Sequence, residues 1–78
     1  MLVVNVNKRT TLYVEIIPDT IPNKNGYYCQ VYADKEKELF VDDFTLDKGL
    51  FYRSDGEDTN MRKAMRIATS KVKSLCCA

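Results

Sequence analysis

The chain has 78 residues, enough for one domain around one core. Its 45% hydrophobic and 29% charged residues are globular proportions that argue against a disordered segment, and no apolar run approaches the ~20 residues of a membrane span. A net charge of +1 excludes no partner class by itself, so the distribution of charge has to be read along the chain.

Residues 1–6 alternate as a strand, with Leu2, Val4 and Val6 on one side and Val3 and Asn5 on the other. Asn7-Lys8-Arg9-Thr10 has the make-up of a turn. Residues 11–17 are a second strand, with Leu12, Val14 and Ile16 opposite Tyr13, Glu15 and Ile17. Residues 2–17 read either as a hairpin or as one long bent strand. Asn7-Lys8-Arg9 breaks the alternation and favours the hairpin.

Pro18 is expected to end this element, and residues 18–26 to form a loop closed by Asn25-Gly26. Residues 27–33 are rich in strand formers. Tyr27, Cys29, Val31 and Ala33 share one face, and Tyr28, Gln30 and Tyr32 the other. Asp34-Lys35-Glu36-Lys37 is a charged turn of hairpin length, and residues 38–46 are its antiparallel mate. There Phe40, Phe44 and Leu46 lie with Asp42, and Leu39 and Val41 with Asp43, which leaves the core side of this strand open.

Asp47-Lys48-Gly49 is a second tight turn, and residues 50–53 have the make-up of a short edge strand. After the acidic loop 54–58, Asp58, Thr59 or Asn60 is expected to cap a helix. Met61, Ala64, Met65, Ala68, Val72, Leu75 and Cys76 fall at helical spacing, and Ile67 widens the stripe. The expected fold class is therefore α+β. It is an antiparallel β-meander of three to four strands with one C-terminal amphipathic helix packed on one face, a single domain over residues 1–78.

Charge is segregated. Residues 34–58 hold nine acids against four bases, whereas residues 59–78 hold five bases and no acidic side chain. A charged leader followed by a long apolar stretch is missing, so no signal peptide is read and the expected location is the cytoplasm. The three cysteines, Cys29, Cys76 and Cys77, lack framework spacing and are expected to be free thiols.

Catalytic chemistry is sparse. Without histidine there is no conventional triad and no Cys/His zinc set. The three glycines are isolated, so no phosphate-cradling loop is formed. Asp42 and Asp43 are strand neighbours that point to opposite faces, which does not make a carboxylate pair. The acidic loop lacks the pattern of a calcium loop. Cysteine is not at the fourth position from the end, where Leu75 stands, so prenylation is rejected. No enzyme, cofactor or metal site is expected.

Three features bear on binding, each with a simpler reading beside it. Tyr28 and Tyr32, with Tyr13 nearby, form an amphipathic contact surface or merely pack across strands. Arg62, Lys63, Arg66, Lys71 and Lys73 form a phosphate-binding face or a solvated one. The acids, Asp42, Asp43 and Asp47 above all, either engage a basic groove on a protein or only keep the edge soluble.

Met61-Arg62-Lys63-Ala64-Met65-Arg66-Ile67-Ala68, with the hairpin before it, resembles the second half of a double-stranded RNA-binding domain over roughly residues 27–76. The amino-terminal helix of that family has no counterpart, because residues 2–17 read as strand. Three strands and a helix also resemble the arm-binding domains of phage-type integrases, whose sheets carry many more bases. In size and architecture the chain is similar to small phage or mobile-element proteins, anti-CRISPR proteins among them, that block host nucleic-acid-handling systems.

The expected function is that of a non-enzymatic protein-interaction module, an inhibitor or adaptor docking on a larger nucleic-acid-handling complex. Tyr28, Tyr32, Asp42, Asp43 and Asp47 are its candidate contacts. The alternative is a nucleic-acid-binding module using Arg62, Lys63, Arg66 and Lys73 with the tyrosines. A homodimer through the sheet edge is compatible with either.

Overall fold

The computed structural model describes residues 1–19, 26–46, 49 and 51–76. Four antiparallel strands form one sheet in chain order: β1 (Leu2–Asn5), β2 (Thr11–Asp19), β3 (Gly26–Tyr32) and β4 (Phe40–Leu46). A 3₁₀ turn, Arg53–Asp55, leads into a single helix, α1 (Glu57–Cys76), which touches all four strands from one side. The architecture is the α+β meander with one C-terminal helix, and residues 2–17 are a hairpin. Its turn is closed by the Val6 N–H on the Thr10 carbonyl (3.0 Å) and by the Arg9 N–H on Asn7 Oδ1 (2.8 Å).

The helix-side face of the sheet carries the alternation read from the sequence. Val4, Leu12, Val14, Cys29, Val31 and Leu46 are buried there, with Phe44 half-buried among them. Against them α1 sets Ala64, Ala68 and Val72, all fully buried. Two alanines one turn apart let the helix backbone come close to the sheet, so the contact is narrow. Met61 and Ile67 are only partly buried beside it. Met65 lies off this line and is 38% exposed, which corrects its assignment to the core. Leu75 is also corrected, at 49% exposed, because the last turns of α1 overhang the β4 side of the sheet. The Cys76 side chain and Cys77 lie outside the described part.

Four boundaries differ from expectation. β2 continues through Pro18, which pairs with Tyr27. β1 reaches only as far as Val14 on the other side of β2, so at Pro18 the strand has one neighbour and tolerates a residue without an N–H. The expected loop is thus shorter at both ends, and its remaining residues, 20–25, lie outside the described part.

Residues 51–52 do not pair as an edge strand. Phe51 is instead anchored by its ring, buried and edge-on to Tyr27 at 4.8 Å between centroids. The turn that follows is closed by the Asp55 N–H on the Tyr52 carbonyl (3.1 Å). Leu50 and the turn residues Asp47 and Lys48 lie outside the described part.

The helix begins at Glu57, ahead of the expected caps. Gly56, at φ +87°, supplies the left-handed backbone that turns the chain into it, and its carbonyl accepts the Asn60 N–H at 3.1 Å. Asn60 therefore sits inside the first turn. It is buried, and its Nδ2 donates to the Tyr52 carbonyl at 2.9 Å, tying helix to turn. Glu57 and Asp58 complement the amino-terminal end of the dipole.

The fourth difference is a bulge in β4. Val31 pairs with Asp42, but Tyr32 pairs with Phe40, so Val41 is an extra residue on the outer strand. One extra residue reverses the alternation beyond it. Phe44 and Leu46 stay on the helix side with Asp42, while Phe40 crosses to the opposite face.

Candidate docking surface

No described element lies over the face of the sheet turned away from α1. The residues of that face follow from register. Val3 pairs with Tyr13, Tyr13 with Tyr32, and Tyr32 with Phe40. These four side chains make one row across all four strands. Phe40 is 56% exposed and Val3 54%, with Tyr13 and Tyr32 half-buried between them. The rings of Tyr32 and Phe40 meet edge to face at 5.9 Å. Leu39 and Val41, on either side of Phe40 in the chain, are also exposed, at 61% and 49%.

Below this row lies a polar one, Glu15–Gln30–Asp43, and below that Ile17–Tyr28–Thr45. The Tyr28 hydroxyl donates to the Asp43 carboxylate, and the Tyr32 hydroxyl donates to Gln30 Oε1 at 3.2 Å. Hydrogen bonding to Asp43, then burial, raises the Tyr28 phenol above its ordinary value. Lys37 reaches from the β3–β4 turn to Glu15, Nζ to Oε2 at 2.6 Å.

The turn itself is ordered by Asp34. Its carboxylate accepts the N–H groups of Glu38 (3.0 Å) and Leu39 (2.9 Å), with Lys37 at φ 61°. The chain is thereby aimed back at the bulge, and Leu39 and Phe40 are delivered to the surface.

The predicted contact residues are divided by this geometry. Tyr28, Tyr32 and Asp43 share the open face with Tyr13. Asp42 points the other way. It lines an open groove of about 470 Å³ between β4 and the end of α1, with Asp43, Phe44, Ser70, Lys71, Ser74 and Leu75. Asp47 lies outside the described residues.

The basic set is also divided. At 100° per residue, Arg62, Arg66 and Lys73 fall within about 40° of one another, and all three are exposed on the outer side of α1. Lys63 is half-buried with its ammonium 6.0 Å from the Phe51 ring centroid, and Lys71 lies 5.4 Å from that of Phe44. Both leave the outer stripe. Basic helix and aromatic sheet face are on opposite sides of the molecule, so one flat ligand does not engage both.

Phe40, Leu39, Val41 and Val3 were not among the predicted contacts. Three consecutive apolar residues, Leu39-Phe40-Val41, do not fit a period-two strand with one solvated face, and this was the legible sign of a bulge. Among the described residues, no three His, Cys, Asp or Glu side chains gather as a metal-ligand set. No helix there is long and apolar enough to cross a membrane.

No family model, curated protein or solved structure matches the chain. The functional reading rests on its own residues.

Proposed function

We propose that this protein is a non-enzymatic docking module, acting in the cytoplasm, whose open sheet face binds a protein partner. The observation that carries the reading is the row Val3–Tyr13–Tyr32–Phe40, which leaves large apolar side chains exposed on a face that no described element covers. Aromatic residues in such a setting are the usual anchors of interfaces, because they bury much area with few rotatable bonds. The acids around the row define the partner. Asp43 lies on the face, and exposed Glu36 and Glu38 border it at the turn. A partner surface of apolar pockets rimmed by lysine and arginine matches this pattern, and proteins that handle nucleic acids carry such surfaces. Docking there makes the module an inhibitor or adaptor of a nucleic-acid-handling complex.

The test is co-purification from nuclease-treated host lysate, with variants chosen by face. The partner held by the wild type should be lost with the double variant Tyr32→Ala/Phe40→Ser. It should be retained when Arg62, Lys63 and Arg66 are all changed to Gln. The reverse pattern would refute the reading.

A further inference from the structure

Among the described residues β4 is paired on one edge, by β3, and no strand lies along its other edge. Such an edge presents backbone donors and acceptors that another extended chain can use. Beside it runs the groove described above, with the Phe44 ring and the half-exposed Leu75 as its apolar lining. Asp42 and Asp43 stand on either side of the edge backbone, and the Asp42 carboxylate covers the Asp43 N–H at 2.8 Å, a bond that a carbonyl of an added strand would have to replace. Neither has a cation within ion-pair distance among the described residues. Lys71, the cation in the groove, lies over Phe44.

We infer that the β4 edge and its groove receive an extended, alternating apolar and cationic segment of a partner, added as a fifth strand. Apolar side chains on one side of that segment lie on Phe44 and Leu75. Cationic side chains on the other side meet Asp43, which is exposed and accepts the Tyr28 hydroxyl through one carboxylate oxygen. Backbone pairing supplies affinity, and the alternation supplies selectivity.

Charge disfavours a second copy as the occupant. Antiparallel self-pairing about the middle of β4 sets Asp43 of one copy opposite Asp43 of the other, and like charges opposed across a ladder are destabilising. This inference adds the β4 edge and its groove, shares only Asp43 with the open face, and goes beyond the docking proposed there.

The experiment is an NMR titration of the ¹⁵N-labelled chain with a short capped peptide of alternating valine and arginine. Saturable shift changes and slowed amide exchange are expected in Phe40–Leu46 and in residues 70–75. A valine–glutamate peptide of the same length should give neither. Asp43→Asn should bind the arginine peptide about tenfold more weakly, and Leu75→Ser, which removes apolar contact from the groove without adding charge, should bind more weakly too. The inference is overturned by the absence of a saturable response, by an equal response to the glutamate peptide, or by unchanged affinity in the asparagine variant. Shifts confined to Tyr13 and Tyr32 would also overturn it while leaving open-face docking intact. Concentration-dependent protection of β4 without peptide would assign the edge to a second copy instead.

Discussion

The hydroxyl of Tyr28 donates to the carboxylate of Asp43 diagonally across the β3–β4 ladder, since Tyr28 is directly opposite Thr45 and Asp43 opposite Gln30. The contact joins the two lower rows of the open face and fixes one carboxylate of the docking surface in place. It favours the protonated phenol, so the Tyr28 pKa stands above the ordinary 10.0. The sign follows directly. A raised folded-state value means that this contribution to stability is complete below pH 10 and is lost as pH climbs through the folded value. Tyrosine ring-carbon shifts followed by NMR against pH should show Tyr28 titrating late. Asp43→Asn should bring it back towards 10, and an unmoved midpoint would show the bond is not formed in solution.

Ala68 and Met65 were both read as core from helical spacing, yet one is fully buried and the other 38% exposed. Ala68→Asp places an unpaired carboxylate between helix and sheet, at a cost of several kcal/mol, a large share of the stability of a domain this small. It should abolish the cooperative thermal transition. Met65→Asp should melt within a few degrees of wild type. Equal damage from both variants would contradict the narrow alanine contact.

The conformation of Gly56 also has a measurable cost. Nothing lies within 4 Å of the position a Cβ would take, so crowding plays no part. At φ +87° an L-residue is strained, and Gly56→Ala should lose roughly 1–2 kcal/mol. Denaturant unfolding measures this as a lower midpoint with unchanged slope. A neutral or stabilising effect would show that the helix can start by another route.

How much of this was legible depended on whether a feature repeats. The period-two faces of residues 11–17 and 27–33, and the spacing of Ala64, Ala68 and Val72, each recur several times, so strand, helix and the covered sheet face were readable. Single-residue events left little trace, the bulge only the apolar run Leu39-Phe40-Val41. Val41 as a bulge moved Phe40 to the open face, and a short β1 let Pro18 remain in β2. Gly56 started the helix four residues ahead of the apolar stripe. The candidate site suffered most, because its most exposed aromatic residue depends on the bulge. Asp42 and Asp43, both candidate contacts, stand on opposite faces of β4 because adjacent strand residues alternate.

Cys29 is fully buried opposite Phe44, and burial pushes its thiol up to about 11, with Lys71 acting in the opposite direction. The folded value exceeds the ordinary 9.0, so this contribution to stability is present below pH 9 and disappears between pH 9 and 11. In the Cys76→Ser/Cys77→Ser background, Cys29 should resist a thiol reagent at pH 8 until denaturant is added. Rapid labelling of the native state would mean that the helix does not cover the centre of the sheet.

The two functional readings place their contacts on opposite sides of the molecule, and salt dependence separates them. A nucleic-acid binder must set Arg62, Arg66 and Lys73 against phosphates, since these three share the outer stripe of α1. Three neutralised phosphates predict a log–log slope near −2.7 on duplex DNA and about −2 on single strands. That is a modest electrostatic footprint, with Lys63 and Lys71 held at Phe51 and Phe44. On the other side, Tyr13, Tyr32 and Phe40 offer a platform for bases, but Asp43 lies in the row below and opposes a phosphate backbone, while Glu15 beside it is paired with Lys37. The expected result is weak binding to a generic oligonucleotide at physiological salt, measured by fluorescence anisotropy. Changing Arg62, Lys63 and Arg66 to Gln should reduce it further without touching the protein complex. Sub-micromolar binding that falls steeply with salt and vanishes in the triple variant would assign the function to the helix and leave the sheet face without its proposed role.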